Sequence, residues 1–111
     1  MARFSAALMW LLALAGGAQA GPWGQSGIAS IYNEGRHTAS GERFSPMLLT
    51  AAHRTLPFGS RVLVRHGVWG VVVRINDRGP WKARRIIDLT PEAARQLHLA
   101  GLGSVSIELL H

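Results

Sequence analysis

Apolar and polar residues alternate through much of this chain with a period of two. In Ser104 to Leu109, Val105, Ile107 and Leu109 fall on one side and Ser104, Ser106 and Glu108 on the other, as in a half-buried strand. Arg61 to Arg65 sets Val62 and Val64 against charged neighbours. Val71 to Ile75 is rich in β-branched residues, and Ile28 to Tyr32 and Arg85 to Leu89 are short β-prone runs. Strands are therefore expected over 28–32, 61–65, 71–75, 85–89 and 104–109. His66-Gly67-Val68-Trp69-Gly70 is a tight glycine-bounded link, which predicts a hairpin between the second and third of these.

A helix is signalled once with full punctuation. Thr90 is a good N-cap, Pro91 suits the first helical position, and Glu92 lies in the first turn, where the helix dipole favours an acid. Ala93, Ala94 and Leu97 make a buried stripe and Gly101 a stop, predicting a helix from Pro91 to Leu99. Met47 to His53 reads as a further helical turn. Strands dispersed along the chain with one late helix indicate a small mainly-β barrel.

The first part of the chain reads differently. Arg3 precedes an unbroken apolar run, Ala6 to Ala15, and Ala18-Gln19-Ala20 has the small-x-small form cleaved by signal peptidase. A membrane span needs roughly 20 apolar residues, and this run is shorter and followed by Gly16-Gly17. The expected organisation is a signal peptide over 1–20, a short tail over 21–26 and a single domain over 27–111. The chain has no cysteine. That excludes disulfides, a thiol nucleophile, a thiolate metal site and a lipid-modified cysteine. The expected product is exported, periplasmic or secreted, soluble and without a membrane anchor. Its stability must come from an efficient core, which favours a compact barrel.

The formal charge is +6, and loss of Arg3 with the leader leaves +5. Eleven of the twelve basic residues are arginine, a side chain suited to forked contacts with carboxylate or phosphate. In a cytosolic protein nucleic acid would come first as a partner. An export signal turns that expectation to an anionic envelope polymer, cell-wall glycan, and away from nucleic acid. Net charge alone is equally compatible with simple solubility.

Three of the six acidic residues lie in polar clusters set between apolar runs. Asp77 ends an apolar strand and precedes Arg78-Gly79-Pro80, a place for acid/base work or for a turn former held by backbone amides. Glu42 follows Ser40-Gly41 in a loop; spacing by itself favours a surface glutamate paired with Arg43 or Arg36. His53 closes the apolar segment Leu48 to Ala52, where a histidine is more often hydrogen-bonded structure than catalyst. Asp88, inside an apolar strand, reads as a structural carboxylate satisfied by backbone amides or by Arg78 or Arg85. Tyr32, Trp69 and Trp81 offer faces for sugar rings or covers for the core, and Trp81 stands nearest the turn. No His-Glu-x-x-His, Gly-x-Ser-x-Gly, dinucleotide or phosphate-loop signature occurs, so neither metal nor cofactor is expected.

Taken together, five segments resemble the RlpA-like (rare lipoprotein A) family. They are Gly27-Ile28-Ala29-Ser30 with Tyr32; Thr38 to Phe44; Leu49 to Gly59; Val73 to Pro80; and Arg85-Ile86-Ile87-Asp88-Leu89. The resemblance implies a six-stranded double-psi β-barrel with one short helix, related in shape to expansins. It also implies endolytic cleavage of MurNAc–GlcNAc bonds in peptidoglycan, on peptide-poor strands, leaving 1,6-anhydromuramic ends. The family's functional acids and histidine fall on Glu42, His53 and Asp77. Tyr32, Thr38, Ser40, Arg78 and Trp81 are the candidate substrate-binding residues. Ile31 and Asn33 stand where the family usually has Trp and Gly, and the link from His66 to Gly70 is shorter than usual. The expected protein is a monomeric lytic transglycosylase whose three catalytic positions line one groove. In that reading Asp77 makes both proton transfers in turn, and His53 positions the sugar or tunes Asp77. The rival is a non-catalytic, expansin-like glycan-binding module. The reading of the leader is checked directly: protein recovered from cells should begin at Gly21 and carry no lipid by N-terminal sequencing and intact mass.

Overall fold

The computed structural model describes residues 23–33 and 37–110; the leader predicted over 1–20 lies outside them. Six strands close into a barrel: β1 (Gly24–Ile31), β2 (Thr50–Ala52), β3 (Arg61–His66), β4 (Trp69–Asp77), β5 (Arg85–Leu89) and β6 (Gly103–Leu110), with α1 (Pro91–Gln96) between the last two. The order around the barrel is β1-β5-β2-β4-β3-β6, with β6 returning to β1. β1 and β5 run parallel, as do β2 and β4; the other four seams are antiparallel. Closure leaves no open sheet edge.

The period-two residues meet at the barrel axis. Val62, Val64, Val73, Ile75, Ile87, Leu89, Val105 and Ile107 are all buried, and they form one core with Ala29, Ala51 and Leu56. The hairpin between β3 and β4 turns on Gly67 and Val68, with Gly67 at φ 59°, a left-handed conformation that glycine adopts without strain.

Three elements differ from the sequence expectation. β1 starts at Gly24, within the stretch read as a tail, and pairs Gly24 with Glu108 on β6. Its first residues are exposed, so no apolar alternation marks them. Met47 to His53 is not a helical turn. A short turn at Pro46–Met47 leads into β2, whose three residues are all buried, so no amphipathic alternation betrays the strand.

The helix begins as expected: Thr90 accepts from the Ala93 amide at 3.3 Å and donates to the Leu48 carbonyl at 2.7 Å. It ends at Gln96, however, before Leu99 and Gly101. His98 takes φ 56°, its amide bonds to Arg95 O, and the Leu99 amide reaches back to Ala94 O at 2.9 Å. These are the two bonds of a Schellman cap, which turns Leu99 into the core. His66 Nδ1 donates to the Leu97 carbonyl at 2.9 Å, and the His98 ring stacks on Trp69 with centroids 3.8 Å apart.

The β1–β5 seam is closely fitted. A Cβ on Gly27 would lie 2.6 Å from Ile86 Cγ2 and 3.1 Å from the Arg84 carbonyl. Gly27→Ala should therefore destabilise the fold by about 1–3 kcal/mol. Urea denaturation should show a lower midpoint with an unchanged m-value.

Candidate functional site

At one end of the barrel Tyr32, His37, Thr38, Phe44, Asp77, Arg78 and Asp88 line a cavity of about 260 Å³. Its acids come from neighbouring ends of β4 and β5. Along β2 and β4, Ala51 pairs with Ile75 but Ala52 pairs with Asp77, so the register slips by one residue at Asn76. Strict alternation would turn Asp77 to the side of Ile75; the irregularity re-aims it. Ala52 also pairs with Asp88 on its other edge. One alanine therefore has both aspartates as cross-strand neighbours.

The Asp77 carboxylate is held by one oxygen. Oδ1 accepts from the amides of Ala39 at 2.8 Å and Arg78 at 2.9 Å, while Oδ2 has no hydrogen bond among the described residues. Asp88 Oδ1 accepts from the Ser30 hydroxyl at 3.1 Å. Ser30, not an arginine or a backbone amide, is thus its partner, a correction to the sequence reading. Burial pushes the Asp88 carboxyl above its ordinary pKa, and the Asp77 charge adds to the shift; the Ser30 bond and Arg85 act against it. Tyr32 tilts against Phe44 with centroids 4.9 Å apart, and its buried hydroxyl has no partner among the described residues. Burial, then Asp77, Asp88 and Glu42, raise the Tyr32 pKa, so the phenol keeps its proton.

Glu42 is not a lining residue of this cavity. Its carboxylate takes Arg74 Nη1 and Nη2 at 2.7 and 2.8 Å and Asn76 Nδ2 at 3.1 Å. Among the described residues the partner is Arg74 rather than Arg43; Arg36, the other partner suggested by spacing, lies outside them. The Arg74 hydrogen bonds above all hold the Glu42 pKa down at about 2, leaving it ionised at neutral pH. The ion pair ties the loop from Thr38 to Glu42 onto β4. That loop is closed by Thr38 Oγ1 donating to the Glu42 carbonyl at 3.0 Å, with the Ser40 hydroxyl 3.0 Å from the same Oγ1. Its Ser40 amide donates to the Asn76 carbonyl at 3.2 Å. Thr38 reaches the cavity; Ser40 holds the loop from outside it.

His53 does not line the cavity either, and only 3% of it is exposed. Nδ1 accepts from the amides of Thr55 and Leu56, both at 3.1 Å, so Nε2 carries the hydrogen and donates to Gln25 Oε1 at 3.0 Å. Trp23 packs edge-on against the ring at 5.6 Å. Burial first, then Arg78 and Arg54, lower its pKa and keep it neutral. The segments that carry Glu42 and His53 both meet Asp77, through the Ala39 amide on its Oδ1 at 2.8 Å and the His53 amide on its carbonyl at 3.1 Å. Of the three, Asp77 lines the cavity, while the other two brace the loops beside it.

Arg78 borders the cavity and also serves the frame. It donates to the carbonyls of His53 at 3.1 Å and Leu56 at 2.8 Å and lies 4.1 Å from the centre of the Phe58 ring. Arg54, unremarked in the sequence, secures the turn after Asp77 through the carbonyls of Pro80, Lys82 and Arg85 at 2.6, 2.7 and 2.9 Å. Trp81 is 72% exposed and stands outside the cavity, its ring against Gly79. Among the described residues no group of three or more His, Asp or Glu side chains is arranged to hold a metal ion. No helix among them is long and apolar enough to cross a membrane.

A family model described as "Lytic transglycolase" matches residues 24–109. The chain belongs to the RlpA-like family of double-psi β-barrels. The probable endolytic peptidoglycan transglycosylase RlpA of Synechocystis sp. is 53% identical over 94 residues, covering 78% of this chain and 29% of that protein. Its counterpart in Nostoc sp. is 55% identical over 93 residues, covering 76% and 25%. The endolytic peptidoglycan transglycosylase RlpA of Pasteurella multocida is 48% identical over 99 residues, covering 83% and 34%. The chain thus spans about a quarter to a third of the length of these curated relatives. Among solved structures, the Streptomyces papain inhibitor superposes with a TM-score of 0.66 at 20% identity, covering 80% of this chain and 96% of that one. That likeness speaks to the fold alone.

The Glu42 ion pair makes a pH-dependent prediction. Its carboxyl titrates near 2 in the fold against an ordinary 4.5. The stability it adds is complete above about pH 4.5 and lost as pH falls toward 2. Glu42→Gln should melt below wild type at neutral pH, and the gap should close over that acid range in thermal melts.

Proposed function

We propose that this RlpA-like domain is an endolytic lytic transglycosylase acting on the glycan strands of peptidoglycan, peptide-poor strands above all. The observation that carries the reading is Asp77. It is fixed by two amides to Oδ1 and leaves Oδ2 without a hydrogen bond among the described residues, in a cavity that Tyr32 and Asp88 also line. Kinship with proteins named endolytic peptidoglycan transglycosylases supports the substrate class. Cleavage of a MurNAc–GlcNAc bond without water needs a proton for the leaving oxygen and a base for the C6 hydroxyl of MurNAc as the anhydro ring closes. Asp77 is the base. Tyr32 and Thr38 line the cavity that receives the sugar, and Arg78 borders it with positive charge. Glu42 and His53 act as positioning residues, the first through the Arg74-anchored loop and the second through the chain from His53 to Leu56. In the cell this domain works as an exported, soluble monomer on the wall.

The expansin-like binding module has one observation in its favour: the Glu42 and His53 side chains are both engaged in hydrogen bonds within the fold. Product chemistry separates the readings. Purified glycan strands incubated with the protein should yield 1,6-anhydromuramic ends, lighter by one water than hydrolysed ends, by mass spectrometry. Asp77→Asn, nearly isosteric, should keep the fold and glycan binding while turnover falls roughly 10²–10⁴-fold. Ordinary reducing ends would indicate hydrolysis instead. No product from a folded, glycan-binding wild type would establish the binding module.

A further inference from the structure

The cavity holds a second carboxyl whose surroundings differ from those of the first. Asp77 and Asp88 flank Ala52 as its two cross-strand partners. Two strand spacings of about 4.8 Å put their Cα atoms about 10 Å apart on the same side of the sheet. Both line the cavity, and each has one oxygen engaged and one with no hydrogen bond among the described residues. The partners are of different kinds. Asp77 rests on two backbone amides, whereas Asp88 has a single hydroxyl, Ser30, which is itself 5% exposed. A pair of carboxyls held in unlike environments is the arrangement that divides acid from base in glycan-cleaving sites.

We infer that Asp88 is the acid of this site, giving its proton to the leaving oxygen while Asp77 takes the proton of the C6 hydroxyl. The inference rests on the transglycosylase reading above and moves one of the two transfers away from Asp77. The MurNAc C1–O bond to the next sugar breaks and the freed oxygen receives the Asp88 proton. The C1–O6 bond forms as O6 loses its proton to Asp77. The anhydro ring and the new GlcNAc 4-hydroxyl contain all the atoms of the original strand. Asp77 is left protonated and Asp88 ionised, and one proton passing between them through solvent resets the pair. No oxidant, metal or external nucleophile enters. Burial of Asp88 and the neighbouring Asp77 charge both favour its protonated form before the reaction. The charged or titratable groups that face it are Asp77, Tyr32, His37 and Arg78 around the cavity and Arg85 on its own strand.

The test is to compare two leaving groups. One substrate is natural glycan; the other is a MurNAc glycoside of 2,4-dinitrophenol, whose phenolate departs without being protonated. Asp88→Asn should lose roughly 10²–10⁴-fold on glycan yet stay within about tenfold of wild type on the dinitrophenyl substrate. Asp77→Asn should lose activity on both. On glycan the wild-type rate should fall on the alkaline side as Asp88 ionises. Ser30→Ala, which removes the hydroxyl that favours the ionised form, should move that limb to higher pH. This variant keeps the test open if Asp88→Asn folds poorly. Equal losses by Asp88→Asn on both substrates, near-wild-type glycan turnover, or an alkaline limb unmoved in Ser30→Ala would each overturn the assignment. A wild type that forms no anhydro product from either substrate overturns the transglycosylase reading, and the role of Asp88 falls with it.

Discussion

The acidic end of this barrel depends on how β2 is wedged between its neighbours. Three residues, Thr50, Ala51 and Ala52, pair in parallel with β4 on one edge and antiparallel with β5 on the other, and all are buried. Because Ala52 is opposite both aspartates, strands far apart in the chain deliver their acids to one place. The slip at Asn76 completes the arrangement by turning Asp77 away from the side of Ile75.

Around this seam the arginines act mainly as internal braces. Arg54 gathers the turn after Asp77, Arg74 clamps the Glu42 loop, and Arg78 ties β4 to the chain from His53 to Leu56. Each fills backbone or carboxylate acceptors that loops would otherwise present unsatisfied. A chain with no cysteine fastens its loops this way. The basic excess is therefore only partly available to a polymer; Arg43, Arg61, Arg65, Lys82 and Arg84 are the exposed remainder on the described surface, with Arg95 exposed but paired to Glu92.

The same chemistry separates the carboxyls by role. Glu42, forked onto Arg74, is an ionised anchor, and the neutral His53 is fixed in one tautomer by two amides. Neither has a proton to exchange at neutral pH in its present bonds. Asp88, with one hydroxyl for company, stands in an environment that favours keeping its proton. Environment rather than residue type sorts anchor from acid.

Local features of the sequence determined much of the frame. The alternation of Val62, Val64, Val105 and Ile107 placed strands and core face, because a two-residue period can bury only one side. Thr90 and Pro91 set the start of α1, since capping needs only adjacent residues. Family segments singled out Asp77. The early start of β1, the strand character of Thr50–Ala52 and the Schellman stop at His98 came from distant partners: β6 for the first, β4 and β5 for the second, the core that takes up Leu99 for the third. The site divides the same way. The family resemblance could name Glu42, His53 and Asp77, but a side chain's direction depends on register, and register belongs to pairs of strands. Only the closed barrel turned Glu42 to Arg74 and His53 to Gln25, and set Asp88 across Ala52 from Asp77.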